Sequence, residues 1–211
     1  MAVITLSREL GSEGDKIADA LCQQLGYRRI DKEMLSEVAA RAGVDVDAVL
    51  AMERSFARRA RLVSTEMTSL YSKSPTAFDK RLALDDKTYA EIVRKTLEEY
   101  ATEGNVVIIG RGGQMVLRNW PRALHVHLYA SPDTRVQRLT ARYGITEGEA
   151  RRRITDSDEE KRQAIRHMHN NVEWKDLRHY HLAINTAVIP PAAAVEMIVL
   201  AVQAVDREQS S

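Results

Sequence analysis

Four consecutive β-branched residues, Val106-Val107-Ile108-Ile109, stand just before the glycine-rich stretch Gly110-Arg111-Gly112-Gly113. A strand that is apolar at every position has no face to offer water, so it belongs inside a parallel sheet covered by helices on both sides. Residues 125–129 and 181–185 are weaker repeats of the same signal, and each is followed by a helical pattern. At the start of the chain Val3, Ile4 and Leu6 lead into Ser7-Arg8-Glu9-Leu10-Gly11-Ser12-Glu13-Gly14, after which Ile17, Ala18, Leu21, Cys22 and Leu25 recur at helical spacing up to Gly26. Residues 27–30 supply a second strand, and Asp31 caps a helix over 32–41. Further helices are expected from Asp85 and Asp86 to about Ala101, over 131–142, 146–170 and 191–206, with 207–211 as a frayed tail. Strand and helix alternate throughout, which predicts a doubly wound parallel α/β sheet. The whole chain, 1–211, reads as one domain. Within it, residues 44–84 carry no strand signal and read as a helical insertion with a basic bias through Arg54, Arg58, Arg59, Arg61, Lys73, Lys80 and Arg81, and residues 144–172 read as a lid-like helical segment.

With 31 Lys and Arg against 30 Asp and Glu, the formal net charge is +1, so no global field draws the chain to nucleic acid or to an anionic membrane. Neither is expected as a partner. The single cysteine, Cys22, excludes an intramolecular disulfide and a cysteine-based zinc site, and it reads as a buried thiol in a reducing compartment. The apolar runs are too short or too interrupted to span a bilayer, and a cytoplasmic protein is expected. His125 with His127, and His167 with His169, lack the spacing and partners of a metal site.

In an open parallel sheet, ligands bind beyond the carboxyl ends of the strands, and those ends carry residues 7–16, 110–113 and 130–133. Gly11 and Gly14 let backbone N–H groups turn inward beside the start of a helix, whose dipole favours an anion, while Asp15 opposes one. A tight βα turn would use the same glycines. The full phosphate-loop pattern G-x-x-x-x-G-K-[ST] is absent: Gly14 stands where the lysine belongs and Lys16 where the magnesium-binding hydroxyl belongs. Lys16 or Arg8 is left to supply the charge, and Ser12 or Ser7 the hydroxyl for magnesium. Arg111 emerges at the ligand edge between glycines, suited either to a phosphate or to a salt bridge with Asp31 or Glu9. Arg135, Arg138 and Arg142 share one helix face, and the cluster from Arg151 to Arg166 serves either as a lid over phosphates or as a solvated helix laced with pairs such as Asp158 with Arg162.

These residues resemble those of the cytidylate-kinase-like family of P-loop nucleoside-monophosphate kinases. The resemblance spans nearly the whole chain, through Ile4-Thr5-Leu6-Ser7-Arg8-Glu9 with Gly11-Ser12-x-Gly14-x-x-Ile17-Ala18, Asp31-Lys32-Glu33 and Val107-Ile108-Ile109-Gly110-Arg111-Gly112. It continues through His125-Val126-His127-Leu128 with Ala130-Ser131-Pro132, Trp174-x-Asp176, and Tyr180-x-Leu182-x-Ile184-Asn185-Thr186. It implies a five-stranded parallel core, a monophosphate-binding insertion and an arginine-bearing lid. It further implies phosphoryl transfer from ATP, with magnesium, to a nucleoside monophosphate such as CMP or dCMP. The implied nucleotide-binding set is Arg8, Gly11, Ser12, Gly14, Asp15, Lys16 and Ile17, with Ser12 toward magnesium. Asp31, Arg111, Gly112 and Glu159 fall on the acceptor side, and Lys16, Arg135 and Arg162 are the catalytic cations. The family's Gly-Arg-Asp is Gly110-Arg111-Gly112 here, and its lid Asp is Glu159, three residues before Arg162. Two other readings stay open: a nucleotide-binding sensor or partner-binding protein without turnover, and a kinase of a different small metabolite. A nucleotide or small phosphorylated substrate is the expected partner, with homo-oligomer formation left open.

Overall fold

The computed structural model describes residues 2–31, 33–47, 49–50 and 86–208. Most of the expected insertion over 44–84 lies outside the described residues. In chain order the elements are β1 Val3–Arg8, α1 Gly14–Leu25, β2 Arg28–Ile30, α2 Glu33–Ala42, α3 Asp86–Glu103, β3 Val106–Ile109, α4 Gly113–Val116, β4 Ala123–Tyr129, α5 Pro132–Tyr143, α6 Glu147–Met168, a short 3-10 turn Leu177–His179, β5 Leu182–Asn185 and α7 Pro191–Glu208. The last helix runs on through Arg207, which the sequence assigned to a frayed tail.

The five strands form one sheet in the order β2-β3-β1-β4-β5, every pair parallel. Non-consecutive neighbours mean that each connection crosses over through a helix, the doubly wound arrangement that the alternating pattern requires. The chain divides into two compact units: residues 1–31, 97–158 and 175–211 form the first, and residues 32–96 and 159–174 the second. The sheet belongs to the first.

The two faces of that sheet differ in kind. Ile4, Leu6, Val107, Ile109, Leu124, Val126 and Leu128 point to one side, where they pack with Ile17, Ala18 and Leu21 of α1 and Ala194, Val195, Ile198 and Val202 of α7. The other side carries Thr5 and Ser7 opposite His125 and His127 in the β1·β4 register. All four are buried. Part of the cost of burying them is met across the strands: Thr5 Oγ1 and His125 Nδ1 share a hydrogen bond of 2.8 Å, and Ser7 Oγ lies 3.4 Å from His127 Nδ1. Tyr180 lays its ring 4.8 Å from that of His127 and accepts a 3.1 Å hydrogen bond from the buried Gln114 amide of α4. β1 and β4 are therefore half polar, unlike β3.

Local signals set the helix ends. Ser131 caps α5, its hydroxyl accepting from the Thr134 N–H, and Pro132 takes the first helical position. Cys22, expected buried, is half-buried on α1, and burial pushes its thiol pKa up, so it is not an activated nucleophile. No helix among the described residues is long and apolar enough to cross a membrane.

In the second unit, Met34, Val38, Val49, Tyr89, Val93, Ile165 and Trp174 are buried. Glu173 pairs with Arg166 at 3.2 Å and with Arg162 at 3.8 Å, and His167 pairs with Asp86 at 2.6 Å.

Candidate functional site

The loop between β1 and α1 lies at the carboxyl edge of the sheet and is held from several sides. Gly11 has φ +85°, and a side chain there would begin 2.7 Å from Leu139 Cδ1 and 3.1 Å from Arg135 Cα, so the loop backbone lies directly on α5. Gly11→Ala is expected to cost about 1–3 kcal/mol of stability, from the left-handed backbone and the overlap together. A thermal melt within a degree of wild type would refute that packing. Arg138 ties the same loop to the end of β5, donating to the Gly11 carbonyl at 3.1 Å and to Thr186 Oγ1 at 3.0 Å.

At the mouth of the loop the backbone turns sharply into α1. Glu13 adopts the left-handed conformation (φ 62°) as the N-terminal cap of α1 and makes no side-chain capping bond. Gly14 opens the helix, and a side chain there would begin 2.7 Å from Arg8 Cβ and 2.9 Å from Arg8 Cδ. The stem of Arg8 thus fills the space into which a side chain at position 14 would grow. Its Nη1 comes within 3.9 Å of the place where a side chain on Gly110 would start. The guanidinium therefore lies between the loop and the turn after β3.

That turn is itself unusual: Gly110, Arg111 and Gly112 all have positive φ, at 71°, 56° and 68°. Glycine takes such a backbone freely, but Arg111 takes it at a cost of about 1–3 kcal/mol, a strain typical of ligand-facing turns. The Gly113 N–H closes the turn on the Gly110 carbonyl at 3.1 Å.

Behind the loop sits an ionic quartet, with Arg135 and Glu9 buried and Asp158 and Lys175 partly exposed. Arg135, 3% exposed, donates two hydrogen bonds to Asp158 (2.7 and 3.0 Å), lies 3.2 Å from Glu9 and donates through Nε to the Leu10 carbonyl at 2.7 Å. Lys175 reaches both carboxylates, at 2.5 Å from Glu9 and 2.9 Å from Asp158, and the Ala130 N–H also donates to Glu9. Burial pushes the Asp158 carboxyl upward, but hydrogen bonds and charge from Arg135 and Lys175 outweigh it and hold it below the usual range.

The expected site residues separate accordingly. Arg8, Gly11, Gly14 and Asp15 converge on the loop mouth, where Asp15 pairs with Arg8 at 3.3 Å and with Arg29 at 2.9 Å. Lys16 points away: 61% exposed, its ammonium pairs with Glu13 at 2.6 Å. Ile17 is wholly buried in the core rather than facing a ligand. Ser12 is fully buried, its hydroxyl donating to the Glu9 carbonyl at 2.8 Å, so it does not fit as a magnesium ligand. Arg135, expected on the transferring group, is instead enclosed in the quartet. Asp31 pairs with Arg29 at 3.1 Å. Glu159 and Arg162 pair with each other in the second unit, and Asp158 goes to Arg135 and Lys175 rather than to Arg162. Sequence reasoning missed Lys175, whose carboxylate partners are remote in the chain, and Arg29, which reaches back to Asp15 and Asp19 on α1 as well as to the neighbouring Asp31.

A family model for the cytidylate kinase-like family matches residues 3–188. The chain belongs to that family. No curated protein matches it by sequence. Among solved structures, an uncharacterized protein from Eubacterium ventriosum ATCC 27560 is similar with TM-score 0.65 at 19% identity, over 96% of this chain and 99% of that one. A gluconokinase from Sinorhizobium meliloti 1021 is similar with TM-score 0.54 at 13% identity, over 99% and 95% of the two chains. The YorR protein from Bacillus subtilis, in complex with phosphorylated GDP, gives TM-score 0.50 at 13% identity, over 96% of each chain. These likenesses show the fold, a five-stranded all-parallel sheet with flanking helices.

Proposed function

We propose that this member of the cytidylate kinase-like family transfers a phosphoryl group from MgATP to a small phosphorylated acceptor, with CMP or dCMP as the first acceptors to test. The observation that carries the reading is the stem of Arg8 packed across Gly14, the residue that stands where the usual phosphate-loop pattern has its lysine, which supports Arg8 as the substitute cation. Loop N–H groups at the start of α1 hold the donor phosphates, and Arg8 neutralises charge between the donor and the Gly110 turn. Magnesium enters as the counter-ion of the substrate, since Ser12 faces inward. Arg111, fixed in its strained turn directly after the rigid β3, grips the acceptor phosphate, with Gly112 leaving room for its approach. Asp31 stands on the acceptor side. Positioning and charge compensation then do the catalytic work, with no covalent intermediate.

The experiment is a coupled assay of ATP consumption over a panel of monophosphates and small hydroxylated metabolites, run on wild type, Arg8→Met and Lys16→Ala. Arg8→Met should lower kcat/KM by about tenfold to hundredfold, the range for a lost charge-assisted contact, and Lys16→Ala should stay within about threefold. The reverse order would return the phosphate cation to Lys16. Tight ATP binding with no turnover on any acceptor would favour the sensor reading instead.

A further inference from the structure

Asp15 poses a problem that the loop alone does not solve. A carboxylate in the first turn of α1 already occupies the positive end of the helix, and it faces the same space as a triphosphate would. Yet one of its oxygens, Oδ1, takes two guanidinium contacts at once: Arg8 Nη2 at 3.3 Å and Arg29 Nη2 at 2.9 Å. Arg29 comes from β2 and is itself braced by Asp19 one turn further along α1 and by Asp31 at 3.1 Å. Its three carboxylates push its pKa upward, and although partial desolvation raises the half-exposed Asp15, Arg8 and Arg29 outweigh it and hold the carboxyl below the usual carboxylate range. The set is a ladder that runs from the end of β2, through α1, to the guanidinium over the loop.

We propose that Asp15, anchored by Arg29, is a positioning residue for Arg8: it holds the Nη2 edge of the guanidinium and so sets the head group between the loop and the Gly110 turn, where a polyphosphate would meet it. An arginine without such a brace loses rotamer freedom each time it meets a phosphate, whereas a braced one has already lost it. The packing of its stem against Gly14 restricts the first torsions, and Asp15 restricts the last. Because Asp31 is held by the same Arg29, the acceptor side of the site shares this anchor. The inference rests on the reading of the loop as an ATP site.

The test uses the sign of an effect. If Asp15 were a bystander, removing its negative charge would tighten binding of ATP and of inorganic tripolyphosphate, since a repulsive carboxylate is gone. As a positioning residue, its loss should weaken both. Titration calorimetry with ATP and with tripolyphosphate on Asp15→Asn should show affinity lowered by about fivefold to tenfold, with Asp15→Glu recovering part of the loss. Arg29→Met should move in the same direction by a smaller factor. Made in an Arg8→Met background, Asp15→Asn should bring no further weakening, because the group it positions is absent. Melting temperatures taken on the same preparations confirm that each variant is folded. Unchanged or tighter ATP binding by Asp15→Asn overturns the inference, as does equal weakening in both backgrounds. No ATP binding by the wild-type protein overturns the reading on which it rests, and this inference with it.

Discussion

Arg135→Met is expected to remove about 3–5 kcal/mol of folding stability, because it leaves the buried Glu9 and the partly buried Asp158 with one of their two cations gone. The guanidinium is nearly closed to solvent and is committed in three directions, to Asp158 through two bonds, to Glu9, and to the Leu10 carbonyl. A buried carboxylate without its partner must either bear its desolvation or take a proton, and each course weakens the fold. Arg135→Lys keeps the charge but cannot reproduce the paired bonds to Asp158 or the Nε bond to Leu10, so its loss should be intermediate. The double variant Arg135→Met with Asp158→Leu should lose less than the sum of the two single changes, since it removes both charges of the tightest pair. Urea denaturation at neutral pH measures all of these. A loss below about 1 kcal/mol for Arg135→Met would place the side chain in water and free it for the catalytic role that its position in the sequence first suggested.

The quartet also shows where sequence reading stops. β3 was legible to the residue, because four β-branched residues between glycines state their own environment, and the crossover helices followed from periodicity with ends displaced by only a residue or two. The polar continuations of β1 and β4 were not legible. Ser7 and Arg8 look like loop residues, and His125 and His127, though placed in a strand, show no partner until the register sets Thr5 against His125 and Ser7 against His127, a relation across 120 positions of chain. Charged residues behaved likewise. Spacing on a helix suggested Asp158 with Arg162, but α5 and the segment before the 3-10 turn supply stronger partners for Asp158, and Arg162 turns to Glu159 and Glu173. By sequence Lys16 stands in for the missing lysine with Arg8 as the alternative, and sequence distance to the loop cannot rank the two. What separates them is the absence of a side chain at Gly14, which leaves room for one stem and not the other, together with a Glu13 whose carboxylate draws Lys16 outward.

His125 should make the fold lose stability as the pH falls from 6.5 to 4, by about 3 kcal/mol over the whole interval. Its ring is buried on β4 against Thr5, and it lies 4.6 Å from the ring of His181. Burial first, and the His181 charge second, lower its pKa from 6.5 to about 4. The folded protein therefore keeps a neutral imidazole in a range where the unfolded chain takes up a proton. Protons favour the state that binds more of them, so stability is flat above pH 6.5, declines through the window, and levels again below about 4. His169, also held low by burial, adds to the slope with the same sign, which is why the informative quantity is the difference between wild type and a variant. In His125→Asn the carboxamide oxygen can still accept from the Thr5 hydroxyl, so the hydrogen bond is retained while the titration is removed. Urea denaturation at half-unit steps between pH 4 and 7 should find the variant less stable near neutrality, from imperfect filling of the ring's place, yet visibly less sensitive to acid. Parallel curves for the two proteins would mean that His125 takes its proton in the folded state as readily as in the unfolded one, and that the polar face of the sheet is open to water.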